Sequence, residues 1–371
     1  MASETKSHEM RCYRITNSDG KVWVIPAESL RMAMALYQPS GWKGRMLKNL
    51  FPCLHWSALV RRIAHAQVMS YEFPEDVRMV CEQCFRRNDL EYAMFLGTPS
   101  LHRKTTIQVY HKRKIFGYCK LTDNDEVAKL FDAEQDVLQR LERQKIEGVP
   151  RCLYNGRSNN GRHLFLQTTA KTLESQVVHE WNGLMEKFLN DLYRSTSKRT
   201  LFELTDYYST LQSVRLHPNW LCATVDTDLY IKTMDDILQR YTGTEVEFGF
   251  YHGDFTPWNM FVENEHLFVF DWEYARQTYP KGLDRYHFLT QTAIFERHLT
   301  AQQIIAEIDS CDWVNKDDYM MYLIDIIARY TLREKGNYDA GMRKCMETWN
   351  GLVKWIWNNK INVKAEEDRN V

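Results

Sequence analysis

Three side chains in this 371-residue chain have the type and spacing to do chemistry: Asp254, Asn259 and Asp271. Asp254 and Asn259 lie five residues apart in a polar and aromatic stretch, 251–259. Two apolar runs follow, 260–262 and 267–270, with polar 263–266 between them and Asp271 at the end of the second. The pattern predicts a loop, a short strand, a turn and a second strand. A carboxylate, a carboxamide and a second carboxylate gathered by one tight hairpin offer only oxygen ligands, the donor set of a hard cation. One carboxylate can also remain to accept a proton from a hydroxyl.

A second constellation lies upstream. A helix expected over 126–144 places Val127, Leu130, Phe131, Val137, Leu138 and Leu141 on one face, with Glu134 in the middle of the stripe. A carboxylate buried alone costs on the order of several kcal/mol, so Glu134 needs a cationic partner. Lys120, at the end of the strand expected over 115–121, is the natural candidate. Taken alone, such a pair is either structural or part of a site.

The downstream spacing, an Asp, four residues, an Asn, a hairpin and another Asp, resembles the catalytic loop of kinase-like phosphotransferases. His252-Gly253-Asp254 and Asp271-Trp272-Glu273 are similar to the aminoglycoside phosphotransferase and choline kinase branch of that family. The resemblance implies an α+β, two-lobed protein-kinase-like fold: a small β-rich lobe, a large mainly helical lobe and here an N-terminal extension. It implies ATP and Mg2+ as nucleotide and metal. Lys120, oriented by Glu134, would meet the α and β phosphates, Asn259 and Asp271 would hold magnesium, and Asp254 would receive the acceptor's proton. His252 and Asp284 would support the loop, and Glu273 would contact metal or acceptor or be structural. Ser100, in the turn over the phosphates, and Gln167 and Thr168, where the lobes join, complete the nucleotide contacts. That turn lacks Gly-x-Gly-x-x-Gly, so its assignment follows from position.

The elements expected around these residues divide the chain into 1–90, an extension with a hairpin and basic amphipathic helices; 91–168, the small lobe; and 169–371, the large lobe. Strands are expected at 11–15, 21–25, 91–95, 105–110, 115–121, 151–155 and 163–167, and long helices at 177–193 and 226–241. Residues 41–71 hold five Lys or Arg and no acid. Met46, Leu47, Leu50 and Phe51 cluster on one helix, which Pro52 is expected to stop, and Leu59, Val60, Ile63 and Ala64 on the next. These helices either pack on the body of the protein or meet an anionic membrane surface or acceptor.

Composition narrows the class. The 48 basic and 49 acidic residues balance, so no nucleic-acid partner is expected. No run is long and apolar enough to span a bilayer. The first nine residues have no signal-peptide pattern, and nine scattered cysteines form no disulfide framework, so a cytoplasmic place is expected, extending to the inner face of the membrane. Cys81 and Cys84 have no second pair at zinc spacing. The acceptor is expected to be a small molecule or a glycan, with a sugar of a cell-surface or lipid-linked saccharide favoured by the basic stretch. An aminoglycoside or choline-type acceptor and a nucleotide-binding pseudokinase scaffold are the alternatives. A protein kinase is disfavoured because 271–284 has neither a long activation segment nor Ala-Pro-Glu.

Overall fold

The computed structural model describes residues 9–18, 20–38, 42–98 and 103–367, with side chains for all of these but 42, 43 and 360–367. The chain forms two compact units: Met1–Val177 with Phe261–Glu273, and Val178–Met260 with Tyr274–Val371. One is rich in sheet and the other mainly helical, an α+β fold as expected. Among the described residues no helix is long and apolar enough to cross a membrane.

The first unit is built on one eight-stranded sheet. Its strands are β1 (Glu9–Thr16), β2 (Val22–Pro26), β3 (Ala66–Glu72), β4 (Glu91–Phe95), β5 (Thr105–His111), β6 (Lys114–Thr122), β7 (Cys152–Arg157) and β8 (His163–Thr168), in the order β3-β1-β2-β4-β5-β6-β8-β7. The neighbouring pairs are antiparallel. Residues 1–90 and 91–168, separate in the sequence reading, share this sheet because β2 pairs with β4 through Trp23–Phe95 and Val24–Met94. The helices are α1 (Leu30–Ala33), α2 (Trp42–Leu54), α3 (Ala58–Ile63), α4 (Glu75–Phe85) and α5 (Asp125–Arg143). Alternation along the strands explains the burial of both faces. Tyr13, Ile15, Trp23 and Ile25 point into a core shared with α1 and Phe51 of α2. Cys12, Val24, Ile107 and Val109 point to the other face, with Val77 and Cys81 of α4.

Two expectations change, and one strand was not expected. Pro52 does not stop α2, which runs on to Leu54; a proline this near a helix C-terminus costs only part of a final turn. Edge strand β3 has no fully buried residue, so its sequence carries no clean alternation. The helix expected from 177 begins at Gly183, because Asn182 Oδ1 accepts from the backbone N–H groups of Leu184 and Met185 at 3.0 and 3.3 Å. All nine cysteines are free thiols.

In the second unit the chain forms α6 (Gly183–Thr196), β9 (Lys198–Leu201), α7 (Asp206–Arg215), α8 (Thr227–Tyr241) and β10 (Glu245–Tyr251). The hairpin β11 (Met260–Glu263) and β12 (His266–Val269) follows, most of it in the first unit, and then β13 (Arg276–Tyr279). The unit closes with α9 (Leu283–Phe295), α10 (Ala301–Asp309), α11 (Lys316–Glu334) and α12 (Ala340–Glu367). A small sheet, β13-β10-β9, delivers the end of β10 to the loop that carries Asp254. Every residue from Tyr319 to Ala328 of α11 is buried, so this helix is the centre of the core.

Candidate functional site

In the first unit five charged side chains converge. Lys120 Nζ on β6 donates to Glu134 Oε2 at 2.5 Å and to Asp271 Oδ1 at 2.6 Å. Lys104, one residue before β5, donates to Asp271 Oδ1 at 3.3 Å and to Glu273 Oε2. Glu134 reaches the cluster because α5 is capped by Asn124 and lays its apolar face on the sheet, with the carboxylate in the stripe. Its other oxygen, Oε1, accepts from the backbone N–H of Trp272 at 3.2 Å. One fully buried carboxylate therefore fixes both Lys120 and the chain just after Asp271. The Trp272 ring is buried as well, its indole donating to the Val269 carbonyl at 3.0 Å. Asp271 itself has φ +67°, a left-handed conformation uncommon outside glycine and concentrated at functional positions.

Electrostatics favour the charged forms of both lysines and of Asp271. Burial works against the charge on Lys104, but Asp271, Glu273 and Glu134 raise its pKa well above the ordinary lysine value. Lys120 is raised in the same way against burial, first by Asp271 and then by Glu134. Burial would raise Asp271 too, yet the two ammoniums hold it well below the usual carboxylate range. Glu134 is pushed up by burial, with Lys120 pulling it back. Two ammoniums against three carboxylates leave one negative charge in excess. Oxygens of Glu134, Asp271 and Glu273 lie within 4.8 Å of one another, an all-oxygen set of the kind a hard cation takes, and here the ammoniums of Lys104 and Lys120 occupy it.

Lys104 escapes a reading by motif, but strand register predicts it. Thr106 pairs with Lys120 across β5 and β6, so Lys104 is its diagonal neighbour on the same face. Gly97 has φ +80° and approaches Lys104 closely, since a Cβ there would lie 2.2 Å from the Lys104 carbonyl. Ser100 lies outside the described residues. Gln167 and Thr168 end β8, in register with Tyr118 and Gly117. Gln167 is buried with Oε1 unpartnered, and Thr168 Oγ1 accepts from Arg151 N at 2.9 Å.

The second unit holds the other candidates. Asp284, in the first turn of α9, accepts from the backbone N–H of His252 at 2.9 Å and of Gly253 at 3.0 Å, one oxygen to each. Gly253 has φ +81°, and a Cβ there would stand 2.6 Å from the Tyr274 carbonyl. The His252 ring, fully buried, accepts from Asp254 N through Nδ1 at 3.1 Å. Asn259 Nδ2 donates to the Asp254 carbonyl at 3.0 Å and to Asp254 Oδ2 at 2.7 Å, which leaves its amide oxygen as the group for a cation. The Asp254 carboxylate is 28% exposed.

Two supports of this loop were invisible to the motif. His287, one turn beyond Asp284 on α9, reaches Asp254 Oδ1 with Nε2 at 3.1 Å. Burial lowers its pKa, so the neutral ring donates Nε2–H to Asp254 and turns Nδ1 toward the Tyr322 hydroxyl. Arg329 on α11 donates to the Gly253 carbonyl, to the Tyr251 hydroxyl at 2.8 Å and to Asp325 at 2.9 Å. Tyr279 donates to the other Asp325 oxygen at 2.9 Å. The available signal was Asp325 and Arg329 at i and i+4 inside an otherwise apolar helix.

No protein-family model and no curated protein matches the sequence. Among solved structures the chain is similar to a putative fructosamine-3-kinase from Haemophilus somnus 129PT, at 13% identity and TM-score 0.46 over 76% of this chain and 97% of that one. It is similar to choline kinase from Cryptosporidium parvum Iowa II, at 12% identity and TM-score 0.48 over 79% and 97%. A thermostable mutant of aminoglycoside phosphotransferase APH(4)-Ia gives 12% identity and TM-score 0.47 over 75% and 98%. At that distance likeness says nothing of substrate.

Proposed function

We propose that this chain is an ATP-dependent phosphotransferase that moves the γ-phosphate to a hydroxyl of a small molecule or glycan. The observation that carries this reading is Lys120, held by buried Glu134 at 2.5 Å and by Asp271 at 2.6 Å. Phosphoryl transfer needs positive charge on the phosphates, a placed acceptor and a proton acceptor. Lys120 and Lys104 supply ammoniums for phosphate oxygens. Asp271 and the Asn259 amide oxygen would hold magnesium, which when bound neutralises charge on the β and γ phosphates. Ser100 and the edge of β8 at Gln167 and Thr168 take the remaining nucleotide contacts. Asp254, oriented by Asn259 and His287, accepts the acceptor's proton. The acceptor oxygen then bonds to the γ-phosphorus, the bond to the β–γ bridging oxygen breaks and ADP leaves. His252, Asp284 and Arg329 hold the loop, and Glu273 holds Lys104.

Within this class the acceptor is a sugar of a cell-surface or lipid-linked saccharide, and the chain works in the cytoplasm at the inner face of the membrane. A cavity of about 390 Å³ in the second unit supports a sugar. Trp181 and Trp313 line it, with Arg285, Glu296 and Arg297 as polar groups. Trp181 also packs on Phe255, the residue after Asp254, at 6.2 Å between rings. Arg285 lies over both indoles, 3.8 Å from the Trp313 ring and 5.1 Å from the Trp181 ring, so a sugar would meet the polar groups and the indole surface that Arg285 leaves uncovered. The test is ADP release across sugars, glycolipid precursors, aminoglycosides and choline, with Asp254→Ala as control. Turnover on a saccharide that Asp254→Ala lowers by about 10²-fold or more supports the reading. Turnover on choline or aminoglycosides alone removes the sugar, and no turnover on any acceptor counts against the enzyme.

A further inference from the structure

Helices α2 and α3 carry more apolar surface than the body of the protein covers. On α2, Leu47 and Phe51 turn into the core, while Met46, Leu50 and Leu54, one stripe over, remain exposed. On α3 and its C-cap, Val60 and Ala64 turn inward, and Leu59 and Ile63 are 67% and 69% exposed. Trp56, in the turn between the helices, is 71% exposed. The single stripe read on each helix from sequence is thus two stripes, one packed and one bare. Seven of the fifteen exposed large apolar side chains among the described residues fall between 46 and 68, a concentration of bare apolar surface in one short stretch of chain.

The charges carried by this segment have one sign. Arg45 and Arg62 are exposed, Lys48 and Arg61 are half-buried, and 41–71 contains no acid in a chain whose charges otherwise balance. Apolar groups on a segment whose only charges are cations complement an anionic bilayer, whose headgroups attract the cations and whose acyl region takes the stripe. A protein partner or a second copy of this near-neutral chain would ordinarily be met by charges of both signs. The turn is also prepared to leave water. Arg61 donates to the His55 and Trp56 carbonyls at 2.9 and 2.7 Å, capping groups that the end of α2 would otherwise expose. The Trp56 indole donates to the Cys53 carbonyl at 3.2 Å.

We infer that the α2–α3 surface docks on a bilayer containing anionic phospholipid, with Trp56, Leu59 and Ile63 entering the interface and Arg45 and Arg62 at the headgroups. This names the surface behind the membrane-side placement proposed above. Lipid binding is measured without turnover, so docking and kinase activity can fail separately. The experiment is co-sedimentation of the full chain with phosphatidylcholine vesicles, with and without about one-third phosphatidylserine, at low and at about 0.5 M salt. The expected result is binding to the anionic vesicles, weakened by salt. Trp56→Ser/Leu59→Ser/Ile63→Ser should lower it by about tenfold or more, and Arg45→Glu/Arg62→Glu by a similar factor. Both variants should melt with the wild type, because the side chains changed are exposed. No binding to anionic vesicles, or binding that the apolar variant keeps, would overturn the inference. So would a wild-type dimer that light scattering shows broken by the apolar variant, since a second copy would then cover the patch.

Discussion

Replacing Lys120 with Met should destabilise the protein far more than replacing its partner Glu134 with Gln, although both changes break the same 2.5 Å contact. The reason is charge count. Wild type sets Lys104 and Lys120 against Glu134, Asp271 and Glu273. Lys120→Met leaves three carboxylates with one ammonium, at a position 6% exposed, and stranding a buried charge in this way costs roughly 3–5 kcal/mol. Glu134→Gln leaves two carboxylates with two ammoniums. Its amide oxygen can still accept from Trp272 N, and Lys120 keeps Asp271 at 2.6 Å. Only a charge-assisted hydrogen bond is lost, about 1.5–3 kcal/mol. The gap of about 2 kcal/mol is readable by urea unfolding without nucleotide. Millimolar magnesium should narrow it, because the acidic cluster of Lys120→Met is the better cation site. Equal losses, a larger loss for Glu134→Gln, or no recovery by magnesium would refute the charge count.

Other expectations rest on the second unit. Arg329→Met strands Asp325 and frees the Gly253 carbonyl, so it should cost roughly 3–5 kcal/mol in urea unfolding and lower kcat more than it raises KM. Gly253→Ala puts a Cβ 2.6 Å from the Tyr274 carbonyl at φ +81°, and should lower the melting midpoint and cut turnover by at least about tenfold. Burial raises Asp284 to about 7 against the pull of the His252 and Gly253 N–H groups. The folded chain thus holds a proton that the unfolded chain releases near pH 4, and this group removes stability as pH rises from about 4 to 7. His287, lowered by burial, acts oppositely, because the unfolded chain takes up a proton below about pH 6.5 that the folded chain refuses. Asp284→Asn removes only the first effect. Its urea midpoint relative to wild type should therefore climb between about pH 5 and 7, and a flat difference would show that Asp284 does not titrate there.

What could be read from sequence was what is local. Asp254, Asn259 and Asp271 share one loop and hairpin, so their spacing is written in consecutive residues. Glu134 announced itself by breaking a helical stripe, and α5 does bring it to Lys120. Lys104 and His287 were silent and Arg329 left only its i, i+4 spacing from Asp325, because register across β5 and β6 and the packing of α9 and α11 bring them in, and none of these contacts follows from neighbours in the chain. The two stripes of α2 were merged for a related reason. Residues 46, 47, 50 and 51 lie on one broad helical face, and only tertiary packing decides which half of it is covered.

The most direct measurement is thermal stabilisation of the wild type and Asp271→Asn by ATP, with and without magnesium. If the cluster around Lys120 is a nucleotide–metal site, ATP with magnesium at about 100 times its Kd stabilises wild type by about 2.7 kcal/mol, a shift of several degrees. Asp271→Asn should lose the magnesium-dependent part. No shift in wild type, or an equal shift in the variant, would contradict the assignment and leave the five-charge cluster as a structural ion network.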